Sequence, residues 1–285
     1  MYSPEIISRR LHAARARGLT ILDLSVEESI ARSRVLEDRF ARMTEAGSLR
    51  PGQWPLSADE MQFVRSELLR CRVDFRYWAS RWGFREIEGS QGGGHGVSTF
   101  WPSQERALKL LADREEVCHA EVRKYGMTQG ILGVWNKTRQ QGATALLRLL
   151  MGHRMVTRPH QRAIAASLDE TRKAVLYQRD KIWLDNQPFW LRPAVLYDVK
   201  EESLVFDNAT GTGMKSSVLY QMASQKGGIG VGQQFDLAHF TEVSKWKTPG
   251  ASRGTSCRQF PRRSRRWWAG SPRRGAGGKG TSGTW

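Results

Sequence analysis

Acid is what the end of this chain lacks: from Lys247 to Trp285 there are ten Lys/Arg and no Asp or Glu. The whole 285-residue chain has a formal charge of +17, which leaves only +7 on residues 1–246. The extreme basicity therefore belongs to the tail, and the modest excess elsewhere is common on proteins that meet polyanions and on many that do not. Cysteine is scarce as well. Cys71, Cys118 and Cys257 form no CxxC pair and no metal-ligand spacing, which excludes a disulfide framework and points to a reduced, cytoplasmic chain. There is no run of about eighteen apolar residues and no signal-peptide layout, so neither a membrane partner nor export is expected.

What is present is enough length for a sizeable core and an ordered succession of helix and strand signals. Residues 1–85 read as an N-terminal helical region, 86–248 as an α/β core and 249–285 as a disordered basic tail. Glu27–Met43 places Ile30, Val35, Leu36 and Phe40 near helical spacing. Ser57 opens a capping box with Glu60. Met61–Trp82 reads as one amphipathic helix, ending in the aromatic residues Phe75, Tyr77, Trp78 and Trp82. Glu88–Ser98, EGSQGGGHGVS, reads as a flexible loop in which His95 is exposed and idle. Phe100–Gln104 leads into a helix through about Tyr125. Arg162–Ser167 is a short buried strand, Leu168–Asp185 a helix, and Trp190–Pro193 a break. Ser203–Asn208 is a strand followed by the Gly/Ser-rich Ala209–Ser217. Gly227–Gly232 is a flexible connection, and Phe235–Thr241 a strand ending at Glu242. Strands separated by helices predict a parallel sheet flanked by helices.

The stretch with chemistry in it is Gly130–Leu147, GILGVWNKTRQQGATALL: a short apolar strand, a polar turn with one glycine, then a helix. Such a turn aims free backbone N–H groups and the positive end of a helix dipole at one spot, which suits a phosphate. Lys137 and Arg139 supply cations, Gly142 the turn, and Thr144 a hydroxyl for Mg²⁺. The usual order G-x-x-x-x-G-K-[ST] puts a lysine where Ala143 stands, so Lys137 has to do that work. Leu237–Glu242, LAHFTE, offers a carboxylate at the carboxyl end of a strand, where ligands bind in open α/β sheets. Taken singly, each segment also has a plain reading: surface charges at Lys137 and Arg139, a helix cap at Gln104, a solvated strand end at Glu242.

Together these segments resemble the ATPase part of the large terminase subunits of tailed bacteriophages. NKTRQQGATALL looks like their deviant Walker A loop with its early lysine, and FDLAHFTEVSKW like their Walker B strand. CRVDFRYWASRW (Cys71–Trp82) looks like the aromatic helix before their core, and Phe100–Gln104 stands where they carry an adenine-reading glutamine. WLDNQPFWLRP and LVFDNATGTG also follow in family order, and the likeness covers roughly residues 68–248. The resemblance implies a P-loop NTPase, RecA-like fold and an ATP-Mg²⁺ site. Its ATP-binding set is Gln104 with Lys137, Thr138, Arg139, Gln140, Gln141, Gly142, Ala143 and Thr144. Mg²⁺ would be met by Thr144 and Thr241, and water activated by Glu242. Thr241 stands where standard Walker B strands carry Asp. Implied partners are double-stranded DNA, a portal protein, a small terminase subunit and other copies in a ring, within a bacterial host's cytoplasm.

The tail departs from that pattern, which continues with a leucine/proline stretch, a coupling motif like ESTARG and a nuclease domain. Its composition alone suggests a basic arm that binds DNA electrostatically, the reading of a non-enzymatic DNA-binding protein. Codon arithmetic suggests another origin. Read from the third base of each codon, Thr255–Pro261 permits Leu-Leu-Pro-Ala-Ile-Pro. Trp267-Trp268 then forces Val, Trp268-Ala269 forces Gly, and residues 270–276 permit Glu-Ser-Thr-Ala-Arg-Gly. A frameshift near Pro249–Gly250 is expected on this ground. The nuclease and its cleavage would then be absent and packaging compromised; sequencing the downstream DNA tests it.

Overall fold

Serine and aspartate set most of the helix starts. The computed structural model describes residues 3–48, 55–86, 95–97, 99–126, 131, 133, 142–200, 202–207, 216–222 and 234–243. Ser3 caps α1 (Pro4–Ala16) by accepting the Ile6 N–H, with proline in the first turn. Ser25 and Ser57 head α2 (Val26–Glu45) and α3 (Ala58–Val73) through reciprocal boxes with Glu28 and Glu60. The single helix expected over Met61–Trp82 is two. Asp74 is extended, and its carboxylate accepts the N–H groups of Arg76 and Tyr77 to start α4 (Phe75–Arg81). Apolar spacing runs on across this break, so periodicity alone does not show it.

β1 (Phe84–Glu86) pairs antiparallel with β2 (His95–Val97), which puts a strand inside the loop expected over Glu88–Ser98. α5 (Pro102–Tyr125) opens on proline and stops at Gly126, as its sequence predicts. α6 (Ala143–Thr157) follows. The strand expected before it falls almost wholly outside the described residues, as do Gly227–Gly232 and the tail. Then come β3 (Arg162–Ser167), α7 (Glu170–Asp185), β4 (Ala194–Val199), β5 (Ser203–Asp207), β6 (Ser217–Met222) and β7 (Leu237–Phe240).

The last five strands form one sheet in the order β4-β5-β6-β3-β7. β3 runs parallel to both β6 and β7, but β4, β5 and β6 pair antiparallel. The wholly parallel sheet expected from the sequence is thus a mixed one. Lys200–Glu202 is too short for the crossover that a parallel pair requires, so β4 and β5 close as a hairpin. β4 was not expected, nor was β6, whose first residue ends the Gly/Ser-rich Ala209–Ser217. α7 packs on β3 and β6, and α6 packs on α7, α3 and α4. Gly152 lets α6 approach α7 closely: a Cβ there would lie 2.7 Å from the Trp183 ring. Among the described residues no helix is long and apolar enough to cross a membrane.

One apolar core joins the N-terminal helices to the sheet, from Leu36 and Phe63 through Trp78, Trp183 and Trp190 to Leu204 and Val218. Leu36 and Phe40 face it as their spacing predicts, whereas Val35 is 66% exposed. The buried tryptophans keep polar partners: Trp190 Nε1 donates to Ser33 at 3.0 Å and Trp78 Nε1 to Gln187 at 3.2 Å. Cys71 and Cys118 are buried and are not disulfide-bonded.

His153 lies in this core between Phe75 and Trp78. Its Nε2 is 2.6 Å from the Cys71 carbonyl and donates to it, while Nδ1 has no partner. Burial holds its pKa well below the ordinary 6.5. An unfolded chain takes up that proton as pH falls through its ordinary value, and the folded one does not. This contribution to stability is therefore complete above that pH and is lost on acidification, at about 1.4 kcal/mol per pH unit. His153→Gln keeps a donor for Cys71 and should shrink the loss of urea stability between about pH 7.5 and 5.5 by about 1 kcal/mol. An equal acid loss in both proteins would count against a buried neutral ring.

Candidate functional site

The first half of the expected site begins where α6 does. Gly142 adopts φ +62, and a Cβ there would lie 2.4 Å from Gln104 Nε2, so both conformation and space select glycine. Gln104 is buried and uses both ends of its amide. Oε1 accepts the Trp101 N–H at 3.0 Å, closing the first turn of α5, and Nε2 donates to the Gly142 carbonyl at 2.9 Å. The helix-cap role is therefore present, and the same side chain ties α5 to the turn that starts α6. Lys137, Thr138, Arg139, Gln140 and Gln141 lie outside the described residues.

Among the described residues no side chain caps α6, and its first turn contains no acid. The N–H groups of Ala143, Thr144 and Ala145 have no acceptor within the helix, and its positive dipole end points the same way. Thr144 is half-buried in that turn. These are the features an anion needs.

The second half is at the carboxyl ends of β3 and β7. Ala166 pairs with Phe240, and the Thr241 N–H donates to the Ala166 carbonyl at 3.0 Å. Glu242 follows with φ +55, a left-handed conformation that costs a non-glycine residue about 1–2 kcal/mol. Its carboxylate lies 3.2 Å from Arg172 Nε. Arg172 belongs to the first turn of α7. Asp169, the cap of that helix, accepts its backbone N–H at 2.9 Å and also pairs with its guanidinium. The structure thus brings Glu242 to Arg172 and Gly142 to Gln104. Thr144 and Glu242 are on separate elements, with no hydrogen bond between them among the described residues.

Arg172 and Asp169 are site residues that the sequence reading passed over; the only local signal is the helix-starting S-L-D-E at Ser167–Glu170. A third missed group lies beneath. Arg148 of α6 pairs with Asp180 of α7, both fully buried. Asp180 also accepts from Tyr220 at 2.5 Å and Trp183 Nε1 at 3.1 Å. Burial works against the Arg148 cation, but Asp180 and Tyr220 hold its pKa above the ordinary arginine value. Burial and then Asp180 push the Tyr220 hydroxyl well up. The network fastens α6 to α7 and to β6, fixing the base on which the α6 terminus rests.

Hydroxyls and one carboxylate are hard oxygen donors suited to Mg²⁺. Among the described residues no three His, Cys, Asp or Glu side chains gather to hold a metal by themselves. No protein-family model matches this chain and no curated protein matches it.

Proposed function

We propose that this chain is an ATPase of P-loop, RecA-like type, the motor part of a terminase large subunit that drives double-stranded DNA into a capsid. The observation that supports it most is Glu242: a carboxylate at the carboxyl end of β7, beside the end of parallel β3, held in a strained left-handed backbone. The uncapped start of α6, with Thr144 in its first turn, supplies the complementary anion site.

On this reading the α6 N–H groups, Lys137 and Arg139 hold phosphate oxygens, and the Thr144 hydroxyl meets the Mg²⁺ carried with them. Thr241 is a weaker second oxygen donor to that ion. Glu242 orients a water and takes its proton. Bound ATP-Mg²⁺ supplies the phosphoanhydride that is hydrolysed and the charge neutralisation that hydrolysis needs. Gln104 would read the adenine through the second N–H and second lone pair of its amide, Gly142 and Trp101 holding the first of each. Portal protein, small subunit and a ring of identical chains are proposed partners on the same resemblance.

Binding of a fluorescent ATP analogue to the full chain tests the reading. Lys137→Ala should weaken it at least about 10-fold, the share of one charge-assisted phosphate contact. Unaltered binding would remove Lys137 from the site. A second reading has its own observation, the ten cations without an acid from Lys247 onward. Under it the chain is a non-enzymatic DNA-binding protein, and deleting residues 247–285 abolishes DNA binding; under the first reading the same deletion leaves the analogue's binding as it was.

A further inference from the structure

α1 is fastened to the fold on one side and open on the other. Ile6 and Ala14 are buried, the Ser3 backbone N–H donates to Glu115 of α5 at 3.0 Å, and Arg10 lies 3.4 Å from His119 Nε2. The opposite face lines a groove of about 390 Å³ whose far wall is Asp74 and Arg76, at the start of α4. Ile7 and Leu11, one helical turn apart and half-buried, form its floor, while His12 and Arg15 stand exposed along its rim. The Asp74 carboxylate is turned to the N–H groups of Arg76 and Tyr77, and the Arg76 guanidinium to Glu105. Arg15 therefore gives the groove its charge, with Arg9 and Arg17 exposed further along the chain in each direction. Residues 6–22 hold four arginines and no acid.

We propose that this groove docks an acidic amphipathic helix of a partner protein, its apolar residues on Ile7 and Leu11 and its carboxylates on Arg15 and the neighbouring arginines. A helix laid in a groove anchors through residues three or four apart. Ile7, Leu11 and Arg15 recur at that interval, so a helix alongside α1 meets two apolar residues and then a guanidinium. A nucleic-acid backbone is drawn by the same arginines but brings no apolar surface for the floor. Among the described residues no Phe, Tyr or Trp lines the groove for a base to stack on. Because α1 is held from behind, the groove is preformed and docking needs no refolding. The partner's charge sets its approach and orientation, and its apolar stripe supplies the affinity. This site is apart from the proposed nucleotide site, since neither Gln104, Gly142 nor Glu242 lines it.

The probe is a labelled synthetic helix of about 16 residues, a little longer than the 13 of α1, with leucines four apart and glutamates on the flanking rows. Its binding to the full chain is read by fluorescence anisotropy. The ten cations from Lys247 onward attract any acidic peptide, so a peptide of the same composition with its leucines dispersed around the helix is the reference. The patterned peptide should bind at least about 10-fold more tightly than the dispersed one. Leu11→Ser and Arg15→Glu should each weaken the patterned peptide about 3- to 10-fold and leave the dispersed one as it was. A peptide with lysine in place of each glutamate should bind Arg15→Glu better than the wild type, a gain that loss of structure does not produce. Equal binding of the patterned and dispersed peptides, or patterned binding unmoved by both substitutions, would overturn the site. Duplex DNA binding that falls in Arg15→Glu, with no preference between the peptides, would overturn it as well and make this face a polyanion surface.

Discussion

Asp180→Ala is expected to cost about 3–5 kcal/mol of unfolding free energy, enough to leave little folded protein if the parent has ordinary stability. The cost does not measure the worth of the ion pair. Arg148 is wholly buried, its Nη1 already has no partner, and Asp180 is the anion that makes its charge tolerable. Removing the carboxylate strands that cation and also orphans the Tyr220 hydroxyl and the Trp183 Nε1–H. Asp180→Asn should be milder, since an amide oxygen still accepts from one of them, and Arg148→Met combined with Asp180→Asn milder again. Urea unfolding followed by far-UV circular dichroism gives the three values, together with that of Arg148→Met alone. If the double change costs the sum of the single ones, the two side chains are not coupled as described.

For Glu242→Gln the expected effect is on turnover. Steady-state ATP hydrolysis should fall about 100- to 10,000-fold while analogue binding is kept or strengthened, because glutamine can occupy the same place but cannot take a proton from water. The split between binding and rate is the informative part. A variant that loses both has lost the strand end, not a base. Wild-type turnover unchanged by the substitution would remove Glu242 from the chemistry and direct attention to other oxygens near the α6 terminus.

Much of the architecture was legible because it is written locally. α5 announces itself by Pro102 and Gly126, β3 by an unbroken apolar run, and α3 by Ser57 with Glu60. The misreadings share a different cause. Asp74 breaks a helix by outcompeting the backbone at one position, which a pattern averaged over several turns conceals. β4 and β6 do carry apolar runs, Ala194–Tyr197 and Val218–Tyr220, but each adjoins a stretch that reads as a break, Trp190–Pro193 before one and the Gly/Ser-rich Ala209–Ser217 before the other. The place of Glu242 just past a strand end is visible in sequence. That of Arg172 is not, because an arginine in a charged helix start looks solvated until the fold brings residue 242 against it. The same holds for Arg148 and Asp180, where charge argued for surface and tertiary packing overruled it.

The core that joins the first helices to the sheet also sets an order of events during synthesis. Ser33 of α2 receives the Trp190 indole across 157 positions, and the Cys71 carbonyl meets His153 across 82. At about 5–20 residues per second, a nascent α2 waits about 10–30 s on the ribosome before its partner is made. During that interval α2 has only the nearer helices α3 and α4 for native company, through contacts such as Ser29 with Glu67 and Arg39 with Glu60. The N-terminal helices thus complete their packing late, although they are made early.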